Sequence, residues 1–238
     1  MEIDSYSYSS VGGRDENQDA LGKAVNGATG LFVVADGLGG HQFGRRAADG
    51  AVNSLLRSWD GAALPTEEML MARIRKANEE ILSIQERDRC TTKSTVVALY
   101  IKEQAAVWAN TGDSRLYFIR KDHFESITED HSVAYLKYRS GEITREEIAT
   151  DEDQSSLLRA LGNRERWEPS LDGAEELRSG DGFLLCSDGF WEHVQDGKIL
   201  VDFLKSGNAR EWAERMLLRL VERFQPGDDN LSLITVML

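Results

Sequence analysis

Four aspartates stand beside Gly or Asn at the ends of apolar runs or in turns. Asp36 closes Leu-Phe-Val-Val-Ala-Asp36-Gly37, Asp113 sits in Thr111-Gly112-Asp113-Ser114-Arg115, Asp188 follows Leu184-Leu185-Cys186-Ser187, and Asp229 lies in Gly227-Asp228-Asp229-Asn230. A carboxylate at the mouth of an apolar core costs free energy unless a cation meets it. Several converging there suggest a hard divalent metal with oxygen ligands, and hydrolysis at a metal centre is the chemistry that follows. Taken singly, each Asp-Gly pair is first of all a turn signal, so the order of the motifs along the chain has to carry the reading.

That order is informative. Arg14-Asp15-Glu16-Asn17-Gln18-Asp19, Asp36-Gly37-Leu38-Gly39-Gly40-His41, Gly112-Asp113-Ser114-Arg115, Ser187-Asp188-Gly189 and Asp229-Asn230 resemble the motif series of the metal-dependent Ser/Thr protein phosphatases, the type 2C or PPM family. Thr128-Glu129-Asp130-His131-Ser132 and Arg159-Ala160-Leu161-Gly162 resemble its bacterial branch. The resemblance spans nearly the whole chain and implies an α+β fold, a four-layer αββα sandwich of two antiparallel sheets flanked by helices. It implies Mn²⁺ or Mg²⁺ as cofactor, with two core ions and, as in bacterial members, a third. Asp36 matches the bridging carboxylate, the Gly37 carbonyl a ligand to one ion, and Asp188 with Asp229 the ligands that complete the other. Asp19 matches an acidic position acting mainly through metal-bound water, Asp113 with Asp188 a more weakly held third site, and Arg14 the guanidinium that holds the substrate phosphate. Arg14, Asp19 and Asp36 are thus the expected catalytic residues.

The chemistry agrees with that assignment. Mg²⁺ and Mn²⁺ prefer oxygen ligands and retain waters, so sparse carboxylates suit them better than zinc. A water bridging two such ions becomes hydroxide near neutral pH and can attack phosphorus in line, while a bidentate Arg clamps the dianionic phosphate. Asp113 also has a plain reading as a hairpin or Asx-turn residue. Departures from the family are Gln18, where many members have Glu, and Leu38, where animal members carry a His. His41 is open between a general acid and a residue structuring the Gly-rich loop.

The elements that must position these residues are legible in outline. Ser5 to Val11 and Leu31 to Ala35 read as strands around a Gly-rich turn, followed by helices over Gly44 to Trp59 and over Leu70 to Ile84, the second starting at Thr66. Ser94 to Ile101, Ala105 to Asn110, Arg115 to Arg120 and His123 to Ile127 read as strands whose short turns force antiparallel pairing. Ser132 to Leu161 reads as short helices in an excursion, with a capping box at Thr144 and Glu147. It corresponds to a flap at about residues 132–162 in the family, although Asp151-Glu152-Asp153 replaces a segment that often holds His-Pro in bacterial relatives. A strand at Gly182 to Cys186, a helix at Ala209 to Phe224 and a strand at Leu231 to Leu238 complete the pattern. Trp191 and His193 read as packing and surface residues, and Trp59 and Trp212 as core.

Composition sets the outer bounds. A chain of 238 residues with 41% hydrophobic residues and no Pro/Gly/Ser-rich linker is expected to form one domain over 1–238. A net charge of −13 argues against nucleic acid as partner. The apolar runs fall far short of the roughly 20 residues of a membrane helix, the first residues lack a secretion signal, and Cys90 and Cys186 lack metal spacing. These features point to a soluble protein of the cytoplasm, and the family resemblance implies that it acts, as a monomer, on phosphoproteins made by a Ser/Thr kinase. Two other readings stay open: a two-metal phosphodiesterase, which the acidity disfavours, and a catalytically weak pseudophosphatase that binds phosphoproteins.

Overall fold

The strands predicted from continuous apolar runs are central strands with both faces covered. The structure, a computed structural model, describes every residue except Gly40, His41, Glu222 and Phe224, and only the backbone of Gln42. The chain opens with β1 (Asp4–Ser10), β2 (Ala20–Asn26), β3 (Thr29–Ala35) and the short β4 (Gly37–Leu38), then helices α1 (Gln42–Leu56) and α2 (Glu67–Asp88). There follow β5 (Lys93–Ser94), β6 (Val96–Lys102), β7 (Ala105–Thr111), β8 (Arg115–Arg120) and β9 (His123–Ile127). After α3 (Val133–Ser140) and a 3₁₀ turn at Glu146–Thr150 come β10 (Ser170–Ala174), β11 (Gly182–Cys186), α4 (Asp188–Trp191), α5 (Asp196–Leu204), α6 (Ala209–Val221) and β12 (Leu231–Met237).

Two five-stranded sheets result, ordered β1-β12-β11-β8-β9 and β10-β7-β6-β3-β2, and every pairing is antiparallel. Alternation along each strand divides its side chains between two layers. In β3, Phe32 and Val34 enter the core between the sheets, where Phe118 stacks on Phe183 at 4.5 Å. Leu31, Val33 and Ala35 face the opposite way, against Ala47, Ala51 and Leu55 of α1 and Ile74 and Ile81 of α2. The other sheet does the same, with Leu184 and Cys186 packed under Trp212, Ala213 and Met216 of α6. This is the expected four-layer αββα sandwich.

Register places the chemistry. Ala35 at the end of β3 faces Ala20 at the start of β2, and Val96 faces Thr111 at the end of β7. In the other sheet Cys186 faces both Leu233 and Arg115. Asp19, Asp36, Asp113, Asp188 and Asp229 therefore all leave the sandwich at one end.

The helix signals hold in detail. Thr66 caps α2 by accepting from Met69 N at 3.2 Å, and Thr144 N donates to Glu147 Oε2 at 2.7 Å, one half of a capping box. Strands β2 and β10 and helix α5 are additions to the expected pattern. β2 and β10 are edge strands, and β10 is Ser-Leu-Asp-Gly-Ala, too polar and too rich in breakers to announce itself. Helix α1 ends at Leu56, short of Trp59, which packs beside the core. Phe224, expected to end the last helix, and His41 lie outside the described residues.

Trp212 is fully buried, meets Phe203 edge-on at 4.9 Å, and donates its Nε1–H to Ile199 O at 3.2 Å. Trp212→Ala is expected to cost about 3–5 kcal/mol, measured as a lower urea midpoint with an unchanged slope.

Candidate active site

Small polar side chains fix the loops that carry the aspartates. The main-chain N–H of Asp36 donates to Thr95 Oγ1 at 2.9 Å, while Thr95 N and Ser94 Oγ donate to its carbonyl at 2.8 and 2.9 Å. Thr95 Oγ1 lies 2.7 Å from Ser114 Oγ, next to Asp113, so one hydroxyl pair joins the loops of the two sheets. Ser187 donates to Asp19 Oδ2 at 2.8 Å and accepts from Ser232 N at 2.9 Å. Asn230 accepts Gln18 N–H at 2.7 Å and donates to the carbonyls of Val11 and Glu16 at 2.7 and 2.9 Å, which holds the loop bearing Arg14 against Asp229. Glycine follows Asp36 and Asp188 because backbones cross there. A Cβ on Gly37 would lie 2.0 Å from the Gly44 carbonyl oxygen, and one on Gly189 2.2 Å from that of Asn230.

These loops enclose a cleft of about 420 Å³ lined by Arg14, Asp36, Gly37, Asp188 and Asp229, with Asp15, Glu16, Gln18 and Leu38 on its walls. Ser155, from the excursion between β9 and β10, reaches the same cleft. Asp19 and Asp113 are buried outside its lining, close enough for their charges to act on Asp36. Arg14 is exposed and donates to Asp229 Oδ2 at 3.0 Å. Such an exposed pair is worth about 0–1 kcal/mol, so Arg14 is released readily once another cation meets Asp229.

Crowding shifts the acidities. Burial, then the charges of Asp188, Asp19, Asp113 and Asp229, hold the Asp36 carboxyl well above the usual range. Burial with Asp229 and Asp19 raises Asp188 to about 7. Burial raises Asp19 to about 6 despite the Ser187 hydrogen bond. Asp113 is held well up by burial, Asp188 and Asp130. Like charges this close favour protons or metal ions.

The residues fit divalent ions. Asp19 Oδ1 and Asp113 Oδ1 are buried and accept no hydrogen bond from a described residue, an arrangement that a cation or its waters would relieve. The donors are all oxygen, which suits Mn²⁺ or Mg²⁺. Among the described residues no three His, Cys, Asp or Glu side chains are arranged to hold an ion unaided. Ions here would therefore also need the Gly37 carbonyl and water, as hard ions that retain their hydration do.

All the expected site residues thus meet at one end of the fold. Others join them without having been expected. Glu192, one turn beyond Asp188, is half-buried with an orphaned Oε1, and burial with Asp188 and Asp229 raises it to about 8. Trp191 is buried, as expected, but also donates Nε1–H to the Asp113 carbonyl at 2.9 Å. Arg115 lies 3.4 Å over its ring and binds Asp130 at 2.8 and 2.6 Å. The Asp-Gly-Phe-Trp-Glu spacing at a helix start was the available signal. His193 is half-buried, with Nε2 3.5 Å from Asp228, and Asp151 and Asp153 both pair with Lys137, at 2.9 and 2.8 Å.

The sequence profile of the protein phosphatase 2C family matches residues 9–224. The chain belongs to that family. As a family member it is a metal-dependent protein serine/threonine phosphatase of the bacterial PPM type. The serine/threonine phosphatase stp of Listeria innocua is 32% identical over 213 residues, covering 87% of this chain and 83% of that protein. The crystal structure of the Mycobacterium tuberculosis serine/threonine phosphatase PstP/Ppp is 27% identical, with a TM-score of 0.86 over 100% of this chain and 99% of that one. A PstP catalytic domain in complex with two manganese ions is 28% identical, with a TM-score of 0.84 over 99% and 97% of the two chains.

In this phosphatase the raised carboxylates make a pH prediction for the metal-free protein. A carboxyl whose folded pKa is raised binds more protons folded than unfolded, so stability falls as pH rises between the two values. For Asp188 the penalty is absent below about pH 4, grows toward pH 7 and is full above it. In EDTA, Asp188→Asn is expected to raise the melting temperature at pH 8, with the gain shrinking as pH falls toward 4. A gain that grew on acidification would contradict the crowding.

Proposed function

We propose that this phosphatase hydrolyses phosphoserine and phosphothreonine in proteins, using the cleft between the two sheet ends. One observation supports it above the rest: Asp36 and Asp188 line one cleft together with the Arg14 guanidinium, each delivered by a central strand of a different sheet. Asp36 and the Gly37 carbonyl would hold one ion and Asp188 with Asp229 the other, water filling the remaining positions, and Asp19 would anchor coordinated water. Asp113 with Asp188 would hold a third, weaker ion. Bound there, Mn²⁺ or Mg²⁺ would activate water for attack on phosphorus and offset charge on the phosphoryl oxygens.

The chain's own residues do the rest. Arg14 leaves Asp229 and clamps the phosphate with its planar fork. Asn230 and Arg45 keep the loop that carries Arg14 and Asp19 in place, Arg45 by donating to the Asp19 carbonyl at 2.9 Å. Leu38 lines the cleft and offers no proton to the leaving group. With net charge −13 and one arginine among the described lining residues, the cleft suits a compact phosphomonoester rather than a nucleic-acid backbone. Residues 1–238 act as one catalytic domain, with about 132–162 as a flap whose Ser155 meets substrate. The substrates are products of a Ser/Thr kinase, met by a monomer in the cytoplasm as part of a signalling circuit.

Phosphate release from a phosphothreonine peptide, followed as Mn²⁺ is titrated, tests this. Asp36→Asn removes several kcal/mol of charge stabilisation, which at about 1.4 kcal/mol per tenfold means a loss of at least about 10³-fold in kcat. Arg14→Ala is expected to cost about 10- to 100-fold in kcat/KM, mostly through KM. Full turnover in Asp36→Asn, or faster cleavage of an oligonucleotide than of the peptide, would overturn the proposal.

A further inference from the structure

The segment Thr128–Ser132 joins β9 to α3, and three of its side chains have local work. Thr128 Oγ1 accepts Leu116 N–H at 2.9 Å, Asp130 holds Arg115, and Ser132 caps α3 by accepting from Tyr135 N at 3.2 Å. His131 reaches elsewhere. Its Nδ1 accepts the N–H of Gly112 at 3.2 Å, and its own main-chain N–H donates to the Gly112 carbonyl at 2.9 Å. Its Nε2 lies 2.9 Å from Ser170 Oγ at the start of β10. Since Nδ1 accepts, Nε2 carries the ring proton and donates it to Ser170. Burial and nearby Arg159 push the imidazole down to about 4, so the ring is neutral with a lone pair on Nδ1.

The residue held this way precedes Asp113. Gly112 has φ +100°, and a Cβ there would lie 2.7 Å from the Thr95 side chain, so the turn has no alternative residue to stiffen it. Asp113 itself is buried, has an orphaned Oδ1 and faces the repelling charges of Asp188 and Asp130. Left to electrostatics, this carboxylate would swing away from the cluster. Beside the Thr95–Ser114 pair, three hydrogen bonds oppose that: one from Trp191 to the Asp113 carbonyl and two between His131 and the polar groups of Gly112.

We infer that His131 is a positioning residue for Asp113, its Nδ1 locking Gly112 so that the Asp113 carboxylate stays turned toward Asp188. The metal consequence rests on reading Asp113 as the ligand of the weakest ion. The Gly112 N–H sets the tautomer, and Ser170, which accepts the Nε2 proton, acts one step further out.

The test uses His131→Leu, which has no acceptor, and His131→Asn, whose Oδ1 can take over the role of Nδ1. Hydrogen exchange at the Gly112 amide, measured in EDTA, reads the lock without any metal. Calorimetric Mn²⁺ titration reads its effect on the weakest binding step. In His131→Leu the Gly112 amide is expected to exchange about three- to tenfold faster, with β6 and β11 amides unchanged, and the weakest Mn²⁺ step to shift several-fold to higher concentration. His131→Asn restores both. Unchanged Gly112 exchange in His131→Leu, equal acceleration of all strand amides, or no recovery in His131→Asn would overturn the inference. Asp113→Asn separates the two layers: a weakest Mn²⁺ step that survives in it overturns the ligand role of Asp113, while the metal-free exchange result decides the His131 lock independently.

Discussion

Everything at this end of the molecule depends on holding together carboxylates that repel one another. Asp19, Asp113, Asp188 and Asp229 all raise the pKa of Asp36, and Glu192 joins them from the first turn after Asp188. An isolated loop would relax by spreading them. Here each aspartate is anchored within two residues of a strand in the sandwich, so moving one would disturb close-packed layers. Antiparallel register then fixes which strand ends lie together. The fold thus stores electrostatic repulsion at a place where cations can discharge it.

Short polar side chains complete the restraint where strands cannot. Thr95, Ser114 and Ser94 join the Asp36 and Asp113 loops, Ser187 joins Asp19 to β12, and Asn230 ties the N-terminal loop to the Asp229 turn. All are uncharged, so they orient the aspartates without neutralising them. That leaves the carboxylates available to metal ions and leaves Arg14, in a weak exposed pair, available to phosphate. His131 and Trp191 extend the same principle to the loop that carries the buried Asp113.

Much of this could be read from the chain because strand-then-Asp-Gly is a local pattern. Leu31–Ala35 and Phe183–Cys186 are continuous apolar runs since helices cover one face and the other sheet the opposite face, and each run leads directly to a candidate ligand. The edge strands β2 and β10 were not legible, for their outer faces are wet and their sequences mixed. Ser187 and His131 escaped notice as site residues for another reason. Their roles arise from contacts across 168 and 19 positions of sequence, Ser187 with Asp19 and His131 with Gly112, and periodicity carries no trace of such contacts. Glu192 is a surface-type residue by its identity, and only its burial beside Asp188 gives it a part in the cluster.

On this crowded carboxylate cluster, divalent ions replace protons, and that exchange is directly measurable. Calorimetric titration of the metal-free protein with Mn²⁺ near pH 6, in two buffers of different ionisation enthalpy, counts the ions bound and the protons released together. At least two ions per chain are expected, with net proton release at pH 6 that shrinks as pH rises past the Asp188 and Glu192 values of about 7 and about 8. Binding without proton release at pH 6, or no binding by a folded protein, would contradict the exchange.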